Sequence, residues 1–150
     1  MIANPIAIPA TLDRYLSTCS DDDIAGVSHY IDRGSDLVTP AAIQALRGLR
    51  EPLQAKVEAL AEPGYLRHRI ELLMIYFEEA CREGHAGIPA HRDAAFALLY
   101  FLKGCDRVPD SVPEVGLLDD AMIIQTVLQR HSIRFRAHWQ RHHRAWPAEL

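Results

Sequence analysis

Four aspartates, Asp106, Asp110, Asp119 and Asp120, crowd into one short stretch of the chain. Grouped carboxylates suit hard cations, because Mg²⁺ and Ca²⁺ take oxygen ligands. A cation held with an open position can activate water, so the cluster reads chemically as a metal-dependent hydrolase site. The structural alternative is capping, since carboxylates are favoured in turns and at helix starts without any metal. The spacing matches no EF-hand loop, and no phosphate-binding glycine loop occurs. Capping and packing are therefore the stronger expectation.

A second constellation lies near the C-terminus. His138 and His142 stand four apart, which places them on one face of a helix. Such a pair can hold Zn²⁺ or another transition metal. No His-Glu-x-x-His motif is present, because Gln140 and Arg141 occupy its interior, and no acidic residue precedes Glu149 in this tail. A solvated, histidine-rich helix is the plainer reading. The same tail interleaves Arg130, Arg134, Arg136, Arg141 and Arg144 with Phe135, Trp139 and Trp146. Arginines beside aromatics suit phosphate contact with stacking, or an anionic membrane surface. They also suit packing, with the aromatics turned inward and the arginines meeting acidic neighbours. Arg134, Arg136, Trp139 and Arg141 are the candidate partner-binding residues. Nucleophilic catalysis has little support: Cys105 sits beside Asp106, His85 and His91 flank a separate loop with no pattern joining them to it, and Ser111 sits in no nucleophile elbow.

These residues must be positioned by helices. Apolar positions recur at helical spacing almost throughout, and two-residue alternation is nearly absent. A short helix is expected after Pro9, capped by Thr11 and using Leu12, Tyr15 and Leu16. Another is expected from Ser20, whose first turn Asp21-Asp22-Asp23 suits the positive end of the helix dipole, running to Gly34. Thr39-Pro40 is a cap followed by proline at the first helical position. Pro52 either kinks that helix or starts a new one. Tyr65 to Glu83 reads as the central helix and ends at Gly84. A further helix runs from about His91 to Lys103. The last helical pattern begins between Pro113 and Leu118, and continues as one long helix or two separated near Ser132.

Between the last two regions lies a tandem repeat, Asp106-Arg107-Val108-Pro109 followed by Asp110-Ser111-Val112-Pro113. An aspartate carboxylate can accept from backbone N–H groups just downstream. Proline fixes φ and has no donor to satisfy, and the valine before it is pushed towards an extended conformation. Two such units make a rigid connection. Together with Gly116, Leu118, Asp119 and Asp120, this pattern resembles the YkvA-like family, a bacterial domain of unknown function, over about 94–128. Lys103-Gly104 stands where that family often has Ser-Pro, and Arg107, Ser111 and Glu114 occupy positions that are usually apolar there. The resemblance implies a helix–loop–helix module. It implies no particular chemistry, and this copy is too polar for the membrane association suggested by many relatives.

Length and composition bound the rest. At 150 residues, 49% apolar and 24% charged, the chain is expected to form a single domain spanning 1–150. Three widely spaced cysteines, Cys19, Cys81 and Cys105, form neither a disulfide framework nor a CxxC site, which suits reduced thiols in the cytoplasm. The N-terminal stretch lacks the basic n-region of a signal peptide. The longest apolar run, Ala94 to Leu102, is far short of the roughly 20 residues a membrane span needs. The net charge of −4 is unevenly spread. Residues 121–150 carry five arginines against one glutamate, while residues 1–120 carry eleven basic and nineteen acidic side chains. Overall acidity weakens non-specific attraction to nucleic acid, so a nucleic-acid partner is not expected.

The expectation is thus an all-α, compact bundle of six or seven helices, with a rigid Asp-Pro loop before the last long helix. The expected function is a non-enzymatic interaction module that binds a partner protein or forms a homo-oligomer. The hydrolase on Asp106, Asp110, Asp119 and Asp120, with Mg²⁺ or Ca²⁺ as cofactor, is the alternative. Anionic-surface binding by the basic aromatic tail is the third reading.

Overall fold

The computed structural model describes residues 8–17, 26–60, 65–103 and 113–147, with the backbone alone for 113–119. The architecture is all-α. Eight helices are described: α1 (Ala10–Ser17), α2 (Val27–Ser35), α3 (Pro40–Arg47), α4 (Arg50–Glu58), α5 (Tyr65–Arg82), α6 (Pro89–Lys103), α7 (Pro113–Arg130) and α8 (Ser132–Arg141). None of them is long and apolar enough to cross a membrane. The Ser20 cap, its three aspartates and the loop carrying Asp106 and Asp110 lie outside the described residues.

Local chemistry explains several helix boundaries. Helix α1 starts one residue before Thr11, with the Pro9 carbonyl accepting from Asp13 N at 2.9 Å. Thr39 caps α3, its Oγ1 accepting from Ala42 N at 3.3 Å, and Pro40 occupies the first helical position. The break expected at Pro52 falls earlier, at Gly48-Leu49, and Pro52 sits inside the first turn of α4. Proline is tolerated there because first-turn N–H groups have no intrahelical partner. Gly84 ends α5 at φ +79°, a left-handed conformation that glycine adopts freely. The last helical pattern divides at His131 into α7 and α8, which settles that alternative in favour of two helices.

The centre of the bundle is α6, not α5. From Ala90 to Phe101 every side chain except Arg92 is buried, and α6 packs against α1, α2, α3, α4, α5 and α7. A helix apolar on all sides belongs in the interior. Periodicity favoured α5 because its stripe is clear and its run of large apolar residues is long. A fully buried helix has no stripe to detect. Helix α2 lies close against α6: a Cβ at Gly34 would meet Cδ1 of the buried Phe96 ring at 2.7 Å. Tyr15 and Tyr30 stack at 4.8 Å and complete an aromatic group with Phe96 and Tyr100. Helices α5 and α6 both also pack against α7.

Candidate functional site

Helix α8 is docked by its apolar side. Phe135 is fully buried and meets the Tyr76 ring edge-on at 4.7 Å, while Trp139 is 5% exposed and contacts Trp146 at 5.8 Å. Burying a side chain the size of Phe135 contributes about 1.5–3 kcal/mol. Beyond α8 the chain turns back through His143, at φ 56°, and Arg144 N donates to the Trp139 carbonyl at 2.9 Å. That reversal places the Arg144 guanidinium 5.3 Å from the Trp139 ring centroid and within reach of α5.

The i, i+4 pair His138 and His142 consequently faces an i, i+4 pair at the C-terminal end of α5, Glu79 in its last turns and Glu83 just past it. His138 Nε2 lies 2.9 Å from Glu79 Oε1, and His142 Nε2 lies 3.9 Å from the same oxygen. His142 Nε2 is 2.6 Å from Glu83 Oε2. Arg144 holds both oxygens of Glu79, with Nη1 to Oε1 at 2.8 Å and Nη2 bonded to Oε2. The Arg144 hydrogen bonds draw the Glu79 carboxyl down to about 2, assisted by the bond from His138 and opposed by burial. Arg141 Nη2 donates to His138 Nδ1 at 3.0 Å. A guanidinium can only donate, so Nδ1 is the acceptor and the ring proton of neutral His138 sits on Nε2, facing Glu79. Burial favours that neutral ring, against the pull of Glu79. The carboxylate missing from the tail is supplied by a helix 59 positions earlier in the chain. Either pair alone is ordinary helix-face spacing, and only the docking of α8 on α5 joins them.

A second polar centre ties the C-terminal end of α7 to the core. Asp93, on α6, accepts from Ser35 Oγ at 2.5 Å and lies 2.6 Å from His131 Nε2 and 3.1 Å from Arg130 Nη1. Burial pushes the Asp93 carboxyl up, but the bonds from His131, Ser35 and Arg130 outweigh it and hold it below the ordinary aspartate range. Arg130 also reaches Asp32 at 2.8 Å and the Ser28 carbonyl at 3.1 Å, so one side chain joins α7 to α2 and α6. Although serine, histidine and aspartate meet here, the serine bonds to the carboxylate. No serine–histidine bond activates its hydroxyl, as nucleophilic catalysis would require. Asp93 gave no sequence signal beyond a carboxylate within an otherwise apolar run.

A second buried histidine, His91, packs its ring on Phe77 at 4.7 Å. Gly87 N donates to its Nδ1 at 3.1 Å, which leaves Nε2 to donate to the Phe77 carbonyl at 3.2 Å. Cys81 Sγ lies 3.4 Å from that same Nε2. Burial lowers the His91 pKa and raises that of the Cys81 thiol, so neither group is poised as an ion. The arrangement is a satisfied structural turn.

The outer side of α8 differs in character. Arg134, Arg136 and Arg141 are exposed, and Ile133 is 85% exposed beside them. Arg136 lies 5.7 Å from the Trp146 ring, and Arg141 pairs with Glu83 at 3.3 Å. A groove of about 620 Å³ opens next to this face, with Tyr76, His85, Arg130, Arg134 and Arg141 in its walls. Of the proposed partner-binding residues, three therefore lie outside, and Trp139 is part of the docked face that fixes their direction. Of the four aspartates, Asp106 and Asp110 lie outside the described residues and the Asp119 side chain is not described, while Asp120 is buried at 8% exposure.

Residues 94–125 match the family described as "Protein of unknown function (DUF1232)". The matched segment takes in most of α6 and the first two-thirds of α7, the two helices that meet at the centre of the fold. No curated protein and no solved structure matches the chain. The α5–α8 carboxylate–histidine cluster lies wholly outside the matched segment.

Proposed function

We propose that this chain is a non-enzymatic protein-interaction module, acting in the cytoplasm, that presents the outer face of α8 to an acidic surface of a partner protein. The observation that carries this reading is the exposed basic face of Arg134, Arg136 and Arg141, with Ile133 85% exposed among them. Phe135, His138 and Trp139 hold the opposite side of the helix, so the face has a fixed direction. A preformed cationic surface speeds encounter with an acidic partner and selects against basic ones. The isolated apolar side chain adds contact area where an interface excludes water. The YkvA-like helix–loop–helix over about 94–128 serves in this reading as the central scaffold, and α5 as the helix that α8 docks on.

The test is cross-linking in cells followed by identification of bound proteins, with wild type and an Arg134→Glu, Arg136→Glu pair compared. The expected result is a defined acidic partner that is lost in the charge-reversed variant and released as salt rises. A partner retained by the variant overturns the reading, as do no partner at all, self-association alone, or binding only to nucleic acid or anionic vesicles.

A further inference from the structure

We propose that Glu79, His138 and His142 form a binding site for a divalent transition metal, with Zn²⁺ the best fit, that bridges α5 to α8. One donor atom from each of the three residues lies within 4.8 Å of the others. Glu79 Oε1 is faced by His138 Nε2 at 2.9 Å and by His142 Nε2 at 3.9 Å. Tetrahedral bonds of about 2.0–2.1 Å set donor atoms about 3.4 Å apart, so small side-chain rotations would open the 2.9 Å edge and close the 3.9 Å one. Two imidazoles and a carboxylate select zinc-like ions over Mg²⁺ and Ca²⁺, which prefer all-oxygen shells. Glu83 Oε2, 2.6 Å from the same His142 Nε2, stands beside the triangle as a fourth ligand once that nitrogen carries no proton.

The scaffold is suited to the task. Glu79 and His138 sit within helices, Glu83 and His142 are the first residues past their ends, and His138 is 1% exposed, with its ring held edge-on against Tyr76 at 5.0 Å. Sites built on such elements hold their geometry better than loop sites. Two guanidiniums compete with the ion, and both can yield. Arg144 bonds to both oxygens of Glu79, so Oε1 turns to the metal while Oε2 keeps its partner. Arg141 is 53% exposed and already paired with Glu83, so it leaves His138 Nδ1 when the ring proton moves there from Nε2. Metal binding therefore shifts a tautomer without changing the net proton count on that ring.

The experiment titrates the metal-free full-length protein with Zn²⁺ against a chromophoric chelator and with Co²⁺ while recording its visible spectrum. Wild type is expected to bind one ion per chain, with a tetrahedral Co²⁺ spectrum and a thermal midpoint raised by about 5–10 °C at 100 times the Kd. Glu79→Gln and the partly exposed His142→Ala should each lose roughly 100-fold in affinity, on the order of 2.7 kcal/mol, while keeping wild-type helical content. Arg144→Ala removes the competing cation and should bind more tightly than wild type. Absence of stoichiometric binding overturns the proposal. So does binding unchanged in the folded His142→Ala protein, which would assign the ion to other surface histidines.

Discussion

Replacing Asp93 by asparagine isolates the charge at the centre of the α2–α6–α7 junction. The amide keeps an oxygen for Ser35 Oγ, and its NH₂ can donate to a re-tautomerised His131. It cannot accept from Arg130, which now faces a donor at 3.1 Å. Removing one partner of a buried ion pair costs about 3–5 kcal/mol, because the other charge stays behind. Arg130 is 25% exposed and retains Asp32 and the Ser28 carbonyl, so the low end, about 3 kcal/mol, applies here. At about 2–4 °C per kcal/mol for a chain of this size, the midpoint should fall by about 6–12 °C. Asp32→Asn is the internal control. It touches the same guanidinium from a side chain 62% exposed, and an exposed pair contributes about 0–1 kcal/mol.

Urea titrations of the three proteins at several pH values would measure this. The Asp93 carboxyl is held below its unfolded value, so the folded state binds fewer protons in the acid range. Its contribution is complete above about pH 4 and is lost as pH falls through the depressed value. The gap between wild type and Asp93→Asn should therefore be constant from pH 7 to about pH 5 and close below about pH 4. Equal, small losses in Asp93→Asn and Asp32→Asn would refute the reasoning, as would a gap that does not narrow in acid.

Two further substitutions probe how the scaffold is held. Gly34→Ala drives a methyl group into the buried Phe96 ring and should cost about 1–3 kcal/mol by denaturant titration. Adding Phe96→Leu should make the double variant less unstable than the sum of its parts, and strict additivity would show that the two residues do not press on one another. Thr39→Ala leaves Ala42 N without its cap and should cost about 1 kcal/mol, with no effect on metal affinity at the distant α5–α8 cluster. A loss below a few tenths would mean that Pro40 alone sets the start of α3.

The sequence by itself determined the helical class and many of the helix boundaries. These are decided within a few residues of the chain: Thr39 and Pro40 start α3, Gly84 ends α5, and the spacing of Leu12 and Leu16 or of Phe135 and Trp139 gives the inward faces. It also showed that His138 and His142 share a helix face, because that follows from 3.6 residues per turn alone. It placed the centre of the bundle on the helix with the clearest stripe, Tyr65–Arg82. The most buried helix, Pro89–Lys103, carries no stripe because neighbours surround it on nearly every side. Only the tertiary structure joined His138 and His142 to Glu79, or Asp93 to Ser35 and His131. Those partners lie 38 to 63 positions apart, and no local propensity reports which helix faces will meet. Packing of Phe135 against Tyr76 selects the docking of α8, and that docking brings the carboxylate to the histidines while leaving Arg134 and Arg136 outside.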